Sequence, residues 1–262
     1  MNNFIYNVPV KVYFGENQLE NLGIELKKYG TRVLMTYGGG SIKKIGLYDK
    51  VVAEIEKAGL ELFELSGIEP NPRVTSVNKG AEICRKAEVK DCLPIVTILT
   101  LAATGSEMND GGVISNLDTN DKIGYSHPKM LPKASFLDPT NTYSVSNYQT
   151  ACGSVDILSH IIEVYFNNDK DLYILDAVAE GLMKTVIKYA PIAVKEPDNY
   201  EARANLMWAS SWAINSFIDG GKTHAWSCHP MEHQLSAYYD ITHGLGLAIL
   251  TPRWMEYCLD EE

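Results

Sequence analysis

Asp156 and His160 stand four residues apart in the run Gly153-Ser-Val-Asp-Ile-Leu-Ser-His160. On a helix that spacing puts a carboxylate and an imidazole on one face. One hard oxygen beside one borderline nitrogen is half of a site for a divalent transition metal. A second group lies far downstream. His229-Pro-Met-Glu-His233 is another i, i+4 pair, and His243 follows in the same stretch. A straight helix from His229 to His243 would rise about 21 Å, so both can reach one ion only if the chain bends between them. Asp240-Ile-Thr-His243-Gly244 supplies that bend, with Gly244 permitting the turn at the helix end. One Asp with three His suits Fe(II) or Zn(II) and leaves a coordination position for a substrate oxygen. A solvated or core Asp–His pair is the plainer reading, and at this point it stays open.

A different chemistry is suggested by Gly38-Gly39-Gly40-Ser41, which follows a predicted strand and precedes Ile42-Lys43-Lys44. Three glycines let a phosphate or ribose approach the backbone, and a helix start would offer free N–H groups. The run is not the G-x-G-x-x-G fingerprint, and no acidic residue ends the strand to bind a ribose 2′-hydroxyl. Ser41, Lys43 and Lys44 tolerate a 2′-phosphate, which favours NADP over NAD. A simple glycine-rich turn is the competing reading.

These residues need elements to place them. The first half alternates strand and helix. Strands are expected at Val10–Phe14, Arg32–Thr36, Glu61–Leu65 and Leu93–Leu99, with two more at Gly112–Asn116 and Ala134–Leu137. Helices are expected at Leu19–Tyr29, Tyr48–Ala58 and Val74–Val89. That order implies a parallel sheet with crossover helices. From about Tyr148 helical periodicity takes over, at Val155–Phe166, Leu172–Ala190, Tyr200–Phe217 and Glu232–Tyr239. We place a boundary near Gln149, with a nucleotide-binding α/β domain over 1–149 and a helical metal-binding domain over 150–262.

A net charge of −10 and a pI near 5.1 argue against a nucleic-acid partner, which would call for a basic face. No apolar run reaches the roughly 18 residues of a membrane span, and the N-terminus does not read as a signal peptide. Five scattered cysteines without a CxxC pair read as reduced thiols of a cytoplasmic protein.

Seven segments together resemble the iron-containing (group III) alcohol dehydrogenases, in the NAD(P)H-dependent butanol dehydrogenase or aldehyde reductase branch. They are TYGGGSIKKIG, GIEPNPR, TILTLAATGSEMN, PKASFLDPT, GSVDILSHIIE, EARANLMWASS and HPMEHQLSAYYDITHGLGLAIL. The resemblance implies a dehydroquinate synthase-like fold, α/β then all-α, with the active site in a cleft between a Rossmann-like domain and a helical one. It implies Asp156, His160, His229 and His243 as metal ligands, and His233 beside metal and substrate as the catalytic group. It assigns cofactor contacts to Gly38, Gly39, Gly40, Ser41, Asn71, Thr100, Thr104 and Lys133. It also implies a short-chain alcohol or aldehyde as substrate and a homodimer.

The chain departs from the family pattern twice. Family members carry a strand and a GGGSxxD loop after the helix that here ends near Val89. In this sequence Lys90-Asp91-Cys92 runs directly into Leu93-Pro94-Ile95. Members also continue past the position of Glu262. A catalytically impaired homologue kept for binding or assembly is therefore one alternative, and a dehydroquinate-synthase-like lyase is another.

Overall fold

The computed structural model describes residues 2–88, 93–223 and 226–259. His224, which no motif position claims, lies outside them. So do Val89, Lys90, Asp91 and Cys92, where the resemblance led us to expect a GGGSxxD segment.

The first half holds β1 (Lys11–Phe14), α1 (Leu22–Leu26), β2 (Arg32–Thr36), α2 (Ser41–Lys44), α3 (Leu47–Lys57), β3 (Glu61–Leu65), α4 (Val74–Lys86), β4 (Val96–Ile98), β5 (Gly111–Asn116), β6 (Asp121–Ser126) and β7 (Ala134–Leu137). The second half holds α5 (Asn147–Tyr165), α6 (Tyr173–Lys195), α7 (Tyr200–Ala213), α8 (Cys228–Tyr239) and α9 (His243–Leu259).

The expected single parallel sheet is instead three pieces among the described residues. β1, β7 and β4 pair in parallel, with β7 in the middle. β2 pairs with β3, also in parallel. The third piece is an antiparallel hairpin of β5 and β6, which the alternation did not foretell. β7 is buried at every position, as a central parallel strand with both faces covered should be. β2 and β4 are only half-buried. No described strand joins them. One apolar core nevertheless spans both parallel pieces. Leu22 and the α3 stripe Leu47, Val51 and Ile55 pack with Phe136 against Val33, Met35, Val96 and Ile98.

Under this layer Glu25 is almost fully buried. Lys28 Nζ (2.6 Å), Tyr13 Oη (2.7 Å) and Tyr29 Oη (2.9 Å) all donate to its carboxylate. Burial pushes its pKa up, but these bonds outweigh burial and hold it down to about 2. A folded-state pKa below the unfolded one stabilises above the unfolded value, here 4.5, and that stabilisation is lost as pH falls toward 2. Glu25→Gln is expected to lower stability by roughly 2–3 kcal/mol at pH 7. The gap between variant and wild type should close between pH 4.5 and 2, as read by urea unfolding across that window. A gap that stays constant with pH would count against this role.

In the second half α5 is the central pillar, packing on α6, α7 and α9. Ser146 starts it by accepting from the Gln149 N–H. Its stripe Ile157, Ile161 and Val164 recurs at helical spacing and meets Ala179, Val186, Leu206 and Ala209 of α6 and α7. α7 stops at Ala213, four residues short of its expected end, and α8 begins at Cys228, four residues before its expected start. α9 was not expected, because its two glycines and Pro252 break the helical signal. No described helix is long and apolar enough to cross a membrane.

Candidate metal centre

The apolar stripe of α5 has a polar twin one residue out of phase: Asp156, His160 and Glu163, all buried. A buried carboxylate is costly unless it is paired, so this face must meet complementary groups. α8 and α9 supply them.

His229 sits in the first turn of α8, and His243 is the first residue of α9. Around Asp156 Oδ1 stand three imidazole Nε2 atoms: His243 at 3.5 Å, His229 at 3.6 Å and His160 at 3.7 Å. These separations are too long for hydrogen bonds. Asp156, His229 and His243 present ligand atoms within 4.8 Å of one another. The His160 and His229 rings stack at 4.5 Å.

Each of two imidazoles is turned by a carboxylate behind it. Glu163 bonds His229 Nδ1, and Glu232 bonds His243 Nδ1. Both Nε2 atoms are thereby left facing Asp156. Glu163 also accepts from the N–H groups of Ser227 (2.7 Å), Cys228 (2.8 Å) and His229 (3.1 Å). It therefore closes the start of α8, where backbone donors lack partners. Sequence reading passed over both glutamates. Glu163 continues the Asp156–His160 spacing by one more helical step, and that periodicity was the available signal. Glu232 adjoins His233, and Lys122, its second partner, carries no local signal at all.

Burial raises the Asp156 carboxyl and the facing imidazoles lower it; the net is below the ordinary carboxylate range. Burial drives His160 down to about 4 against the pull of Asp156. His229 is the opposite case: Asp156 and Glu163 outweigh its burial and lift it to about 9.

Asp156 Oδ1 and His229 Nε2 are buried without a hydrogen-bond partner. Buried polar atoms normally have one, and a cation among these atoms would satisfy both. A hard oxygen with three borderline nitrogens fits Fe(II) or Zn(II), so the residues present fit the metal that the sequence implies.

The bend between the ligands is made differently from the expectation. Asp240, not Gly244, turns the chain: it caps α8 in the left-handed region (φ 50°, ψ 33°), a conformation that Asp tolerates better than most residues. Its carboxylate accepts from Asn71 Nδ2 (2.8 Å) and Arg73 Nη2 (2.9 Å). Gly244 lies inside the first turn of α9. A Cβ there would come within 2.6 Å of the Cys152 carbonyl carbon on α5. The glycine is needed for close approach of two helices, not for a turn.

His233 is half-buried beside the centre, its ring centroid 5.6 Å from that of His243. Burial, then Lys122 and His243, push its pKa down to about 4.

The residues expected at the nucleotide are more scattered. Gly38–Gly40 form the loop after β2, with Gly40 at φ 99° leading into α2. α2 is a single turn, Ser41–Lys44, and so a weaker source of aligned N–H groups than the sequence suggested. Lys43 Nζ lies over the Tyr48 ring at 4.4 Å. Thr100 and Thr104 follow β4, and the Thr104 carbonyl accepts from Asn109. Lys133 precedes β7, at the opposite end of that parallel pair from Thr100. Asn71 spends its amide on Asp240 and the Ile241 carbonyl.

The family profile described as iron-containing alcohol dehydrogenase matches residues 9–90 and 85–139, and the C-terminal profile of the Fe-containing alcohol dehydrogenase family matches 150–262. NADH-dependent butanol dehydrogenase B of Clostridium acetobutylicum is 51% identical, over 100% of this chain and 77% of the relative. The NADPH-dependent aldehyde reductase YqhD of Escherichia coli is 34% identical, over 98% and 76%. The crystal structure of NADH-dependent butanol dehydrogenase A from Thermotoga maritima superposes with a TM-score of 0.95 at 38% identity, covering 98% of this chain and 74% of that one. The Clostridium alignment runs over 300 positions against the 262 residues of this chain, so at least 38 positions of the relative have no counterpart here. The first profile matches in two pieces that overlap at residues 85–90. With both profiles matched and these identities over nearly its whole length, the chain belongs to the iron-containing alcohol dehydrogenases.

Proposed function

We propose that the chain interconverts short-chain aldehydes and alcohols with NAD(P)H, at a divalent cation held by Asp156, His160, His229 and His243. The observation that carries this reading is a buried carboxylate oxygen facing three imidazole Nε2 atoms at 3.5–3.7 Å. When bound, the cation supplies Lewis acidity toward a substrate oxygen and the nicotinamide supplies hydride. The chain's own residues do the rest. Glu163 and Glu232 keep two imidazoles aimed. His233, neutral near pH 7, accepts a proton at one ring nitrogen and donates at the other, so it passes a proton on without storing charge. Gly38, Gly39, Gly40 and Ser41 border the adenosine end of the cofactor, while Thr100, Thr104 and Lys133 serve it from the β4 and β7 ends. Asn71 acts at one remove, through the Asp240 joint. The α/β half over 1–149 serves the nucleotide and the helical half over 150–262 serves the cation.

Butanal reduction followed by NADH and by NADPH oxidation, with Fe(II) or Zn(II) added to chelator-treated protein, tests this. Turnover that depends on the cation is expected. Lys43 is engaged with Tyr48, which leaves Ser41 and Lys44 to receive a 2′-phosphate, so a preference for NADPH should vanish in Lys44→Ala. The closely similar Clostridium enzyme is named for NADH, and equal or better turnover with NADH would reject the 2′-phosphate reading.

A second reading has its own observation, the 38 or more positions of the relative without counterpart in this chain, which we assign to the pyrophosphate loop that the resemblance implies. On that reading the protein binds the cation and folds but oxidises neither nucleotide. Cation binding without any nucleotide binding would favour it over the enzyme.

A further inference from the structure

The two carboxylates behind the imidazoles are anchored in different ways. Glu163 shares α5 with Asp156 and is fixed by three backbone N–H groups. Glu232 depends on side chains. Its Oε1 accepts from Ser236 Oγ; its Oε2 meets His243 Nδ1 and, at 3.4 Å, Lys122 Nζ. Lys122 comes from β6, in the hairpin that packs on α8. The Lys122 side chain is 5% exposed and that of Glu232 is fully buried. Gly246 opens the slot that Glu232 occupies: a Cβ there would lie 2.7 Å from Glu232 Cγ.

A buried ion pair is a weak source of stability, because desolvation offsets most of its attraction; its best-attested use is to fix an arrangement. His243 needs such fixing. It begins α9, directly after the turn at Asp240, and its side chain is 23% exposed. A rotation about its χ angles would carry Nε2 away from Asp156.

We propose that Lys122 and Glu232 are positioning residues that aim His243 Nε2 at the cation, which makes the β5–β6 hairpin part of the metal centre. This rests on the metal-centre reading above. Lys122 holds one side of the carboxylate, Ser236 holds the other, and the remaining lone pairs fix the His243 ring.

Co(II), a spectroscopic substitute for Fe(II) or Zn(II), provides a readout separate from turnover. Chelator-treated protein is titrated with Co(II), following the affinity and the visible d–d absorption, with a thermal melt as a folding check. The pair Lys122→Met/Glu232→Ala and Lys122→Met/Glu232→Gln removes both charges, so neither leaves a buried charge unpaired. The Ala form, which has no acceptor for His243 Nδ1, should bind Co(II) about 10–100-fold more weakly with a shifted band. The Gln form, whose amide oxygen can still accept, should recover part of that loss. Lys122→Met alone leaves Glu232 with Ser236 and His243, and should weaken Co(II) several-fold; it also decides the matter if the double variants do not fold. Wild-type affinity and spectrum in the Ala form overturn the proposal. An unaffected Lys122→Met overturns the part given to the hairpin. A wild-type protein that binds no Co(II) overturns the metal-centre reading itself, and this inference with it.

Discussion

Asp156→Ala is expected to abolish cation-dependent turnover and to weaken cation binding by more than about 100-fold, beyond the effect of losing an outer-shell partner. The reason is geometric. Asp156 Oδ1 is the common point that three imidazoles face from two directions: His160 from its own helix, His229 and His243 from α8 and α9. Without it the site keeps three neutral donors and no anionic one, and the charge of a divalent cation goes uncompensated in a buried place. Asp156→Asn separates charge from shape. It retains an oxygen in place but should still lose most of the affinity, since the amide cannot supply the negative charge. Metal content after dialysis and aldehyde-dependent NAD(P)H oxidation read the two effects. Metal retained at wild-type level in Asp156→Ala, in a protein with a normal melt, would show that the ion does not sit here.

The second large effect is expected from a single methyl group. Gly244→Ala puts a Cβ against the Cys152 backbone, 2.6 Å from its carbonyl carbon and 2.9 Å from its Cα. The obstacle is the backbone of the central helix, not the end of a flexible side chain, so α9 must move. The cost should reach about 3 kcal/mol, the upper range for overpacking. For a chain of this size that corresponds to a melting point lower by roughly 6–12 °C. Because His243 is the adjacent residue, cation affinity should fall as well. Gly181→Ala in α6 is the control. A Cβ there meets nothing within 4 Å, and the exchange should be neutral or stabilising by up to about 1 kcal/mol, as helix propensity dictates. If both substitutions shift the melt alike, close approach of α5 and α9 is not what Gly244 provides.

Much of this architecture was written in local patterns. Strands such as Arg32–Thr36 and Glu61–Leu65, and the helix α3, follow from apolar periodicity, and the structure keeps them nearly at the expected bounds, while α5 begins eight residues before its expected start. The DxxxH spacing placed Asp156 and His160 on one face, and the need for a bend before His243 could be read from helix rise alone. What escaped was non-local or masked by composition. β6 carries Asp, Lys and Gly in six residues, poor strand formers that pairing with β5 overrides. The bond from the Asn71 amide to Asp240 spans 169 positions. Lys122 and Glu232 are 110 positions apart, and no window along the chain connects them. Among the described residues the parallel strands form two pieces, β1-β7-β4 and β2-β3, and no local pattern along the chain foretold that split.

The contact of α5 with α9 through Gly244 bears on how the protein would respond to losing its ion. The expected ligands come from three helices separated by about a third of the chain, so a cation joining them acts as a reversible cross-link. A cation held only by the folded arrangement of these helices stabilises it by mass action, by RT ln(1 + c/Kd) at free-ion concentration c. Chelation would then leave the folded contacts of α5 and α9 intact while withdrawing that stabilisation, so the unfolding free energy should fall with the logarithm of the free-ion concentration, with little change in the native fold.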